Sequence, residues 1–462
     1  MAGYYNYNMT SAKDVLGTEP VGKLLFRLSL PAIAAQFVNM LYNIVDRIYI
    51  GHIPGVGSTA LTGVGVCMPM IMIVSSFAAL ISMGGAPRAS ICMGKQDIVS
   101  AEKILGSCFS TQLIVSVLLT AVLLIWNEPL LMAFGASSRT IVYAKPYMDI
   151  YAAGTVFVQL TLGMNAFITA QGFAVTSMLT VLTGAVCNSI LDPLFIFTFH
   201  MGVQGAAWAT DISQAVSAVW VIRFLCGKKA HLKLAGTYLR PDLQYVIPCM
   251  LLGLAPFIMQ ASESFIIICF NSSLLKYGGD IAVGAMTISS SVMSFALMPI
   301  QGLGQGAQPV SSYNFGAGDR SRVKQTFFLL LKSTMLYASA VWLFVMFFPG
   351  AFAAIFTSDA ELALYTAHAL RIYCAAMFMF GIQMSCQYTF ISLGNASASI
   401  TVAVVRKFIL LLPLVFTLPH LFTADKARAV YLAEPCADFI AVTFTAVLFF
   451  FQFRKALKSM GN

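Results

Sequence analysis

One stretch of sequence decides the fold, because the chain carries it twice. Residues 82–97 read SMGGAPRASICMGKQD, and residues 304–319 read GQGAQPVSSYNFGAGD. The matching residues lie 222 positions apart: Gly84 and Gly306, Pro87 and Pro309, Gly94 and Gly316, and Asp97 and Asp319. The same offset separates Tyr151 from Tyr373 and Gly172 from Gly394. A nearly constant offset in several regions is typical of a chain built from two repeated halves.

The remaining sequence is too apolar for a water-soluble protein. Of its 462 residues, 59% are hydrophobic and only 10% are charged, and the mean hydropathy is +0.82. The apolar runs are continuous rather than alternating, which favours membrane-spanning helices over a barrel. The first twenty residues are polar and include Lys13, Asp14 and Glu19, so no cleavable signal is expected.

We predict an all-α integral membrane protein with twelve transmembrane helices in two parallel-repeat six-helix bundles. The predicted spans lie near residues 24–47, 60–84, 104–126, 146–168, 177–199, 203–225, 245–270, 280–304, 326–348, 365–388, 398–419 and 429–452. Six spans per half is an even number, so the halves should be related by an axis along the membrane normal. The N-terminal lobe is assigned to residues 1–226, a basic cytoplasmic linker to 227–244, and the C-terminal lobe to 245–462.

Lysine and arginine predict the side of the membrane on which each loop lies. With a cytoplasmic N-terminus, 18 of the 27 basic residues fall in inside segments and 6 in outside segments. The others, Arg371, Arg406 and Lys407, fall within spans. Both termini are therefore predicted to be cytoplasmic. The net charge of +9 then reflects topology and contact with anionic lipids rather than nucleic-acid binding.

Asp46 is the first candidate ion ligand, since a carboxylate inside a span costs about 2.5–3.5 kcal/mol to insert and is rarely kept without a function. Gln36, Asn39, Asn43 and Asp46 are spaced three, four and three residues apart, which places them on one face of the first helix. A polar stripe of this length is not expected to face lipid.

Asp192 is the second candidate, with Asn188 one turn before it and Pro193 directly after it. Pro193 lacks a backbone donor and can free a carbonyl for a cation. Thr210 and Asp211 lie in the next span. Carboxylate, amide and hydroxyl oxygens suit Na⁺ or a shared proton, and the predicted ion site consists of Asp46, Asn188, Asp192 and Thr210. The alternative is plain hydrogen bonding between helices.

The C-terminal half lacks this pair of acids, because Leu412 stands where the repeat would place Asp192. It carries Glu263, with Gln260 one turn earlier, and the acids Glu434 and Asp438, which either function themselves or pair with Arg406 or Lys407. The candidates for lining a substrate cleft are Gln36, Asn39, Asn43, Gln260, Glu263 and Gln308.

Neither a nucleotide site nor a resident cofactor is expected. Residues 302–306 are glycine-rich, but no Gly-x4-Gly-Lys-[Ser/Thr] phosphate loop occurs in the chain. The ten cysteines form no CxxC pair, and the five histidines lie far apart. Energy for transport must then come from an H⁺ or Na⁺ gradient or from another subunit.

Three stretches resemble the multidrug and toxic compound extrusion (MATE) family, in its DinF-like and MepA-like branch. The first is NIVDRIYIG at 43–51, downstream of Pro31. The second is NSILDPLFI at 188–196 with GAAWAT at 205–210. The third is Gln308-Pro309 followed by NFGAGD at 314–319.

The resemblance implies two bundles around a V-shaped cleft and antiport of organic cations against H⁺ or Na⁺. It implies the same N-lobe ion site, with Tyr147 as a looser match to a tyrosine of that site. In the NorM-like branch a second site uses a glutamate matching Glu263 and an aspartate in the tenth span. Here the tenth span holds Arg371, Tyr373 and Gln383 but no acid, which argues against a C-lobe ion site.

The sequence is therefore interpreted as a secondary active multidrug efflux antiporter in the inner membrane of a bacterium, and not as an enzyme. We expect a monomer that contacts small drug-like molecules and membrane lipids. A lipid-linked oligosaccharide flippase is the near alternative and would need a more cationic cavity. A membrane-embedded transferase would need a cluster of histidines or carboxylates, and a channel would need a symmetric pore lining.

The predicted orientation of the loops in the membrane can be tested by cysteine labelling. Loops around Lys95, Lys229 and Arg322 should be cytoplasmic, and loops around Ser138 and Asp359 external. A cysteine placed at Lys229 should resist an impermeant thiol reagent added to intact cells, whereas one placed at Ser138 should react. Labelling at Lys229 from outside would contradict the parallel-repeat topology.

Overall fold

The structure, a computed structural model, describes residues 12–422 and 424–460, with side chains from residue 15 onward. Within these ranges every regular element is helical. The side chains of Lys13 and Asp14, and all of residues 1–11, 423 and 461–462, lie outside the part of the chain that the structure describes.

The N-terminal half forms nine helices, and α8 continues into a π-helical turn at Leu194–Thr198. The helices are α1 (Ala12–Thr18), α2 (Val21–Gly51), α3 (Gly57–Gly94), α4 (Ile98–Ile125), α5 (Asn127–Ala133), α6 (Ile141–Ala153), α7 (Thr155–Ala170), α8 (Ala174–Pro193) and α9 (Val203–Leu225). A short 3₁₀ turn, Gly236–Tyr238, precedes the C-terminal half.

The C-terminal half forms eight helices. They are α10 (Leu243–Gly316), α11 (Arg320–Phe347), α12 (Pro349–Phe356), α13 (Ala360–Tyr373), α14 (Phe380–Ser392), α15 (Ala396–Val404), α16 (Leu412–Leu421) and α17 (Lys426–Ser459). A 3₁₀ turn, Met377–Met379, precedes α14, and a π-helix, Val405–Leu411, joins α15 to α16. Gly279 has φ 68° and ψ −165°, so it divides α10 into a first arm (243–278) and a second arm (280–316).

These helices make twelve crossings, as predicted. Within the described residues, eight helices are long and apolar enough to span a bilayer, and the bent pairs α6–α7 and α13–α14 raise the number to ten. α10 has 74 residues, about 111 Å of helix, so its two arms make two crossings. α9, with 23 residues, supplies the last one.

Two spans are bent, which the hydropathy of the sequence did not indicate. α6 meets α7 at 56°, and α13 meets α14 at 46°. The first bend lies at Gly154, where an added Cβ would collide with the carboxyl group of Asp211. Glycine at the break therefore lets an acidic side chain of α9 reach the backbone of the bend.

Local structure repeats as the sequence does. Asp97 accepts a hydrogen bond from the backbone N–H of Ser100, and Asp319 accepts one from that of Arg322, each at 3.0 Å. The bonds from Ser100 hold the pKa of Asp97, which lies between two spans, below its usual range. Gly172 and Gly394 both have positive φ, 88° and 71°, in matching turns.

The two copies of the repeated stretch pack against each other. A Cβ added to Gly94 would collide with the carbonyl oxygen of Tyr313, and one added to Gly316 would collide with that of Ile91. Tyr313 and Ile91 are themselves 222 positions apart, so each copy contacts the other in the same way. A reciprocal contact of this kind defines a pseudo-twofold axis between the lobes.

The lobes meet at this end, here called the closed end, and diverge from it. α2 follows the second arm of α10 from Ser29, against Gly306, to Phe37, whose ring centroid is 5.8 Å from that of Phe295. α3 follows the first arm as far as a 3.4 Å hydrogen bond from the Ser264 hydroxyl to the Met72 sulfur. A V-shaped cleft therefore opens beyond these pairs.

The division of the chain at residues 226/227 and 244/245 stays a prediction. The two lobes contact each other at the closed end. There α1 packs against Gly172 of the first half and Asn314 of the second. There Asn314 and Arg322 donate side-chain hydrogen bonds, each at 3.0 Å, to the carbonyl oxygen of Leu16.

Because the helix backbones approach so closely at the closed end, one added methyl group there should strongly reduce the stability of the protein. Gly94→Ala should destabilise the protein by about 1–3 kcal/mol, because the backbones must separate to admit a Cβ. The matched control is Gly65→Ala in the same helix, where an added Cβ meets no atom within 4 Å. Thermal unfolding in detergent should show a lower Tm for Gly94→Ala only, and equal Tm values would contradict the packing argument.

Candidate functional site

A cluster of buried polar side chains lies inside the N-terminal lobe. α2 contributes Asp46, α8 contributes Asn188 and Asp192, and α9 contributes Thr210 and Asp211. None of the five is more than 6% exposed. The structure thus brings together the four residues of the predicted ion site, and it adds Asp211.

Asn188 connects the helices of this cluster. Its Nδ2 group donates to Asp192 Oδ1 at 3.3 Å and to Thr210 Oγ1 at 3.4 Å, so one amide joins α8 to α9. Asp46 on α2 lies close enough to Asp192 for their charges to interact. The three helices therefore meet around one polar centre.

Three tyrosines complete the wall of the cluster. Tyr147 on α6 is 3% exposed and lies within electrostatic range of Asp46. The sequence did not single out Tyr42, which interacts with Thr210 through its side chain, or assign Tyr151, which lies near Asp211. A signal existed for both, because Tyr42 precedes Asp46 by one helical turn and Tyr151 belongs to the repeat.

In the described part of the chain the acids of the cluster form no ion pair, although the exposed Arg47 lies within electrostatic range of Asp46. Within the described residues, no lysine or arginine forms an ion pair with Asp46, Asp192 or Asp211. Four buried oxygens also lack a hydrogen-bond donor there: Asp46 Oδ1, Asn188 Oδ1, Asp192 Oδ2 and Asp211 Oδ1. Asp46 and Asp192 lie close enough to repel each other when both are charged, and a proton or cation between them would relieve that repulsion.

The donor set fits a small monovalent cation or a proton. No group of three His, Cys, Asp or Glu residues in the described part of the chain is arranged to hold a metal ion. A Na⁺ ion here would therefore use the neutral oxygens of Asn188 and Thr210 together with the carboxylates.

The C-terminal lobe holds its own charged cluster, but this one contains cations. Arg406 donates from Nε to Asp438 Oδ1 at 2.8 Å and from Nη2 to Glu434 Oε1 at 3.1 Å. Lys407 donates from Nζ to Glu263 Oε2 at 2.7 Å. The pairing expected as the alternative for Glu434 and Asp438 is thus present.

The two lobes therefore differ in the charged side chains that surround their matching tyrosines. Tyr151 and Tyr373, which match in the repeat, each lie beside the acids of their own lobe. In the N-lobe three acids have no paired cation, whereas in the C-lobe three acids face Arg406 and Lys407. Among the described residues, the N-lobe cluster therefore lacks the internal counter-charges that the C-lobe cluster has.

The cleft candidates are more scattered. Asn39 and Asn43 are exposed, and Asn43 Nδ2 donates to the carbonyl oxygen of Asn39 at 2.7 Å. Gln36 and Gln260 are half-buried. Gln308 lies at the closed end, between Gly306 and Pro309, and so stands apart from the N-lobe cluster.

Glu263 lies where the lobes begin to diverge, one residue before Ser264. Its side chain is 44% exposed, although Lys407 beside it is only 6% exposed. In the tenth span, Arg371 Nε donates to the carbonyl oxygen of Met346, and Gln383 is buried. Glu263 is therefore the acid of the C-lobe cluster that the cleft can reach.

Comparison with known proteins gives a consistent result. The MatE family model matches residues 31–194 and 255–417. The multidrug export protein MepA of Staphylococcus haemolyticus is 23% identical over 421 residues, covering 91% of this chain and 92% of that protein. MepA of Staphylococcus aureus is 22% identical over 403 residues, covering 87% and 88%.

Solved structures share the fold. A MATE crystal structure in the bent conformation superposes with a TM-score of 0.90 at 22% identity, covering 98% of this chain and 99% of that one. A multidrug resistance MATE family transporter of the MOP superfamily, in an outward-facing conformation, gives 0.88 at 23% identity, covering 97% and 99%.

The ion pair in the C-lobe predicts a double-mutant result. Glu263→Gln should destabilise the protein by about 1–3 kcal/mol, since it leaves buried Lys407 unpaired, although exposure of Glu263 reduces the effect. Adding Lys407→Gln should restore most of the loss of Tm. Glu128→Gln is the control, because its pair with Lys145 is exposed on both sides. Additive losses in the double variant would contradict the pairing.

Proposed function

The chain belongs to the MatE family, and from this membership we propose that it is a multidrug exporter driven by an H⁺ or Na⁺ gradient. The proposed substrates are amphipathic, cationic small molecules. The proposed location is the cytoplasmic membrane of a bacterium, where the protein acts as a monomer with both termini inside. The relatives named as multidrug export proteins align over about nine tenths of the chain, which supports transport rather than catalysis.

One observation carries the assignment of the coupling site. Asp46, Asp192 and Asp211 are all buried in one lobe, Asp46 and Asp192 interact electrostatically, no cation forms an ion pair with the three in the described structure, and each retains an oxygen without a donor. Because this charge is unfavourable in a membrane, binding of an ion is strongly favoured and changes the energy of the lobe. In the C-lobe cluster two cations offset two of the three acids, so this cluster has less need of a coupling ion.

Ion binding can be converted into movement through the geometry of α2. Asp46 lies near the far end of this helix, and Ser29 lies at the closed end against Gly306. When an ion draws Asp46 toward Asp192, α2 changes its position relative to α8, and the contact at the closed end changes with it. An ion that binds one conformation better than the other thereby shifts the population between them.

The positive-inside rule places the closed end in the cytoplasm, so the cleft faces outward in this conformation. A drug released from the cleft would leave the cell. Ion entry from outside would then reach the N-lobe cluster, and its binding would favour the release of drug and the return to an inward-facing state.

The charges argue against the flippase alternative. A pyrophosphate-linked substrate needs several unpaired cations in the cavity. Of the three cations assigned to spans, Arg406 and Lys407 are paired with acids, and Arg371 donates to the carbonyl oxygen of Met346. In the Glu263–Lys407 pair, Glu263 is the exposed member and faces the cleft. A carboxylate attracts cationic substrates rather than phosphates.

Reconstituted protein tests both the function and the site. Proteoliposomes without ATP should transport ethidium when an H⁺ or a Na⁺ gradient is imposed. Asp46→Asn and Asp192→Asn should each abolish gradient-driven transport, at least about tenfold, because the amide keeps the shape and removes the charge. Glu263→Gln, as a matched change in the other lobe, should retain a larger share of transport.

Equilibrium binding of ethidium at pH 5.5–8.5, with and without Na⁺, separates coupling from folding. The wild type should show ion-dependent affinity, and both aspartate variants should bind with little dependence on either ion. If the variants keep the wild-type dependence, these aspartates are structural contacts only. Transport that requires ATP and ignores both gradients would refute the proposed function.

A further inference from the structure

A groove on the outside of the molecule crosses the seam between the lobes. It encloses about 620 Å³ between the beginning of α2 and the first half of α11. Val21 and Gly22 of the N-terminal half form one wall, and residues of α11 form the other. The groove lies at the closed end and is remote from the ion cluster and from the cleft.

Two lysines of α11, Lys324 and Lys332, line the groove without a partner acid. Both are exposed, and neither forms an ion pair within the part of the chain that the structure describes. Of the nearby acids whose side chains the structure describes, Glu19 binds Arg27 at 3.0 Å and Asp319 caps α11. The groove therefore has net positive charge, which favours the binding of an anion.

The depth of Lys332 strengthens this argument. It lies six residues, about 9 Å, inside the cytoplasmic edge of the predicted span 326–348. A lysine at that depth is unfavourable unless its ammonium group reaches the interface or meets an anion. Lys324, two turns earlier, lies on the route by which such an anion would enter.

The surroundings of the lysines are apolar and exposed. Phe328, which lines the groove, is 60% exposed, and one and two turns beyond Gly22 on α2, outside the groove lining, Phe26 is 68% and Leu30 is 53% exposed. These side chains follow the two helices away from the closed end, into the hydrocarbon region. The ligand must consequently combine an anionic head with an apolar chain.

We propose that this groove is a specific site for an anionic phospholipid. The phosphodiester group binds Lys324 and Lys332, and an acyl chain lies along Phe328 and the exposed face of α2. Because the groove has one wall from each lobe, a bound lipid stabilises the closed end. The site is independent of the transported drug and of the coupling ion.

Lipid binding to the full-length protein tests the proposal. Purified protein in detergent is titrated with phosphatidylglycerol or phosphatidylcholine, and bound lipid is counted by native mass spectrometry. Phosphatidylglycerol should bind preferentially, and Lys324→Gln/Lys332→Gln should weaken it roughly tenfold. Lys228→Gln/Lys229→Gln, which removes two exposed lysines of the linker, is the matched control and should bind as the wild type does.

A second variant keeps both charges and fills the groove. A Cβ at Gly22 would lie 3.7 Å from Leu329, an ordinary contact, so Gly22→Phe places its ring in the groove without a backbone clash. It should lose phosphatidylglycerol as the double lysine variant does. Loss in the lysine variant alone would mean general charge attraction and would overturn the proposal.

Three other results would also overturn it. They are equal binding of phosphatidylcholine, equal loss in the Lys228→Gln/Lys229→Gln control, and full competition by glycerol 3-phosphate. The last result would show that a soluble phosphate, rather than a lipid, occupies the groove.

Discussion

The contact of two glycines across a pseudo-twofold axis is the constraint on which the rest of the structure depends. Gly94 meets the backbone at Tyr313, and Gly316 meets the backbone at Ile91. In a membrane, helices gain little from burying apolar surface against each other, so close backbone packing has to hold the lobes together. With the lobes pinned at this end, the opposite halves of α2, α3 and α10 are left apart, and the separation forms the cleft.

Symmetry at this contact is combined with asymmetry of charge inside the lobes. Equivalent tyrosines, Tyr151 and Tyr373, mark equivalent positions, yet Asp192 is replaced by Leu412, and Arg406 and Lys407 occupy the C-lobe. The repeat thus preserves the packing of the backbone and changes the buried ionisable groups. In the described structure the acids of the N-lobe form no ion pair, whereas in the C-lobe two cations offset two of three acids.

Helix irregularities lie beside both charged clusters. A π-helical turn follows Pro193 in the N-lobe, and the π-helix Val405–Leu411, which contains Arg406 and Lys407, precedes Pro413 in the C-lobe. A π-turn widens the helix and redirects side chains, and proline removes a backbone donor at the same place. The structure therefore concentrates its departures from regular helix where polar side chains must converge.

The sequence alone determined the twelve spans and the parallel repeat, because hydropathy and a constant offset are properties of residue order. It also singled out Asp46, Asn188, Asp192 and Thr210, whose role as an ion site stays a prediction. It could not reveal the 56° bend at Gly154, the place of Asp211 and Tyr42 beside the cluster, or the pairing of Glu263 with Lys407. Those features join residues as much as 144 positions apart. Only the packing of helices decides which side chains distant in sequence share one low-dielectric space, and hence which acids are paired with a cation and which are not.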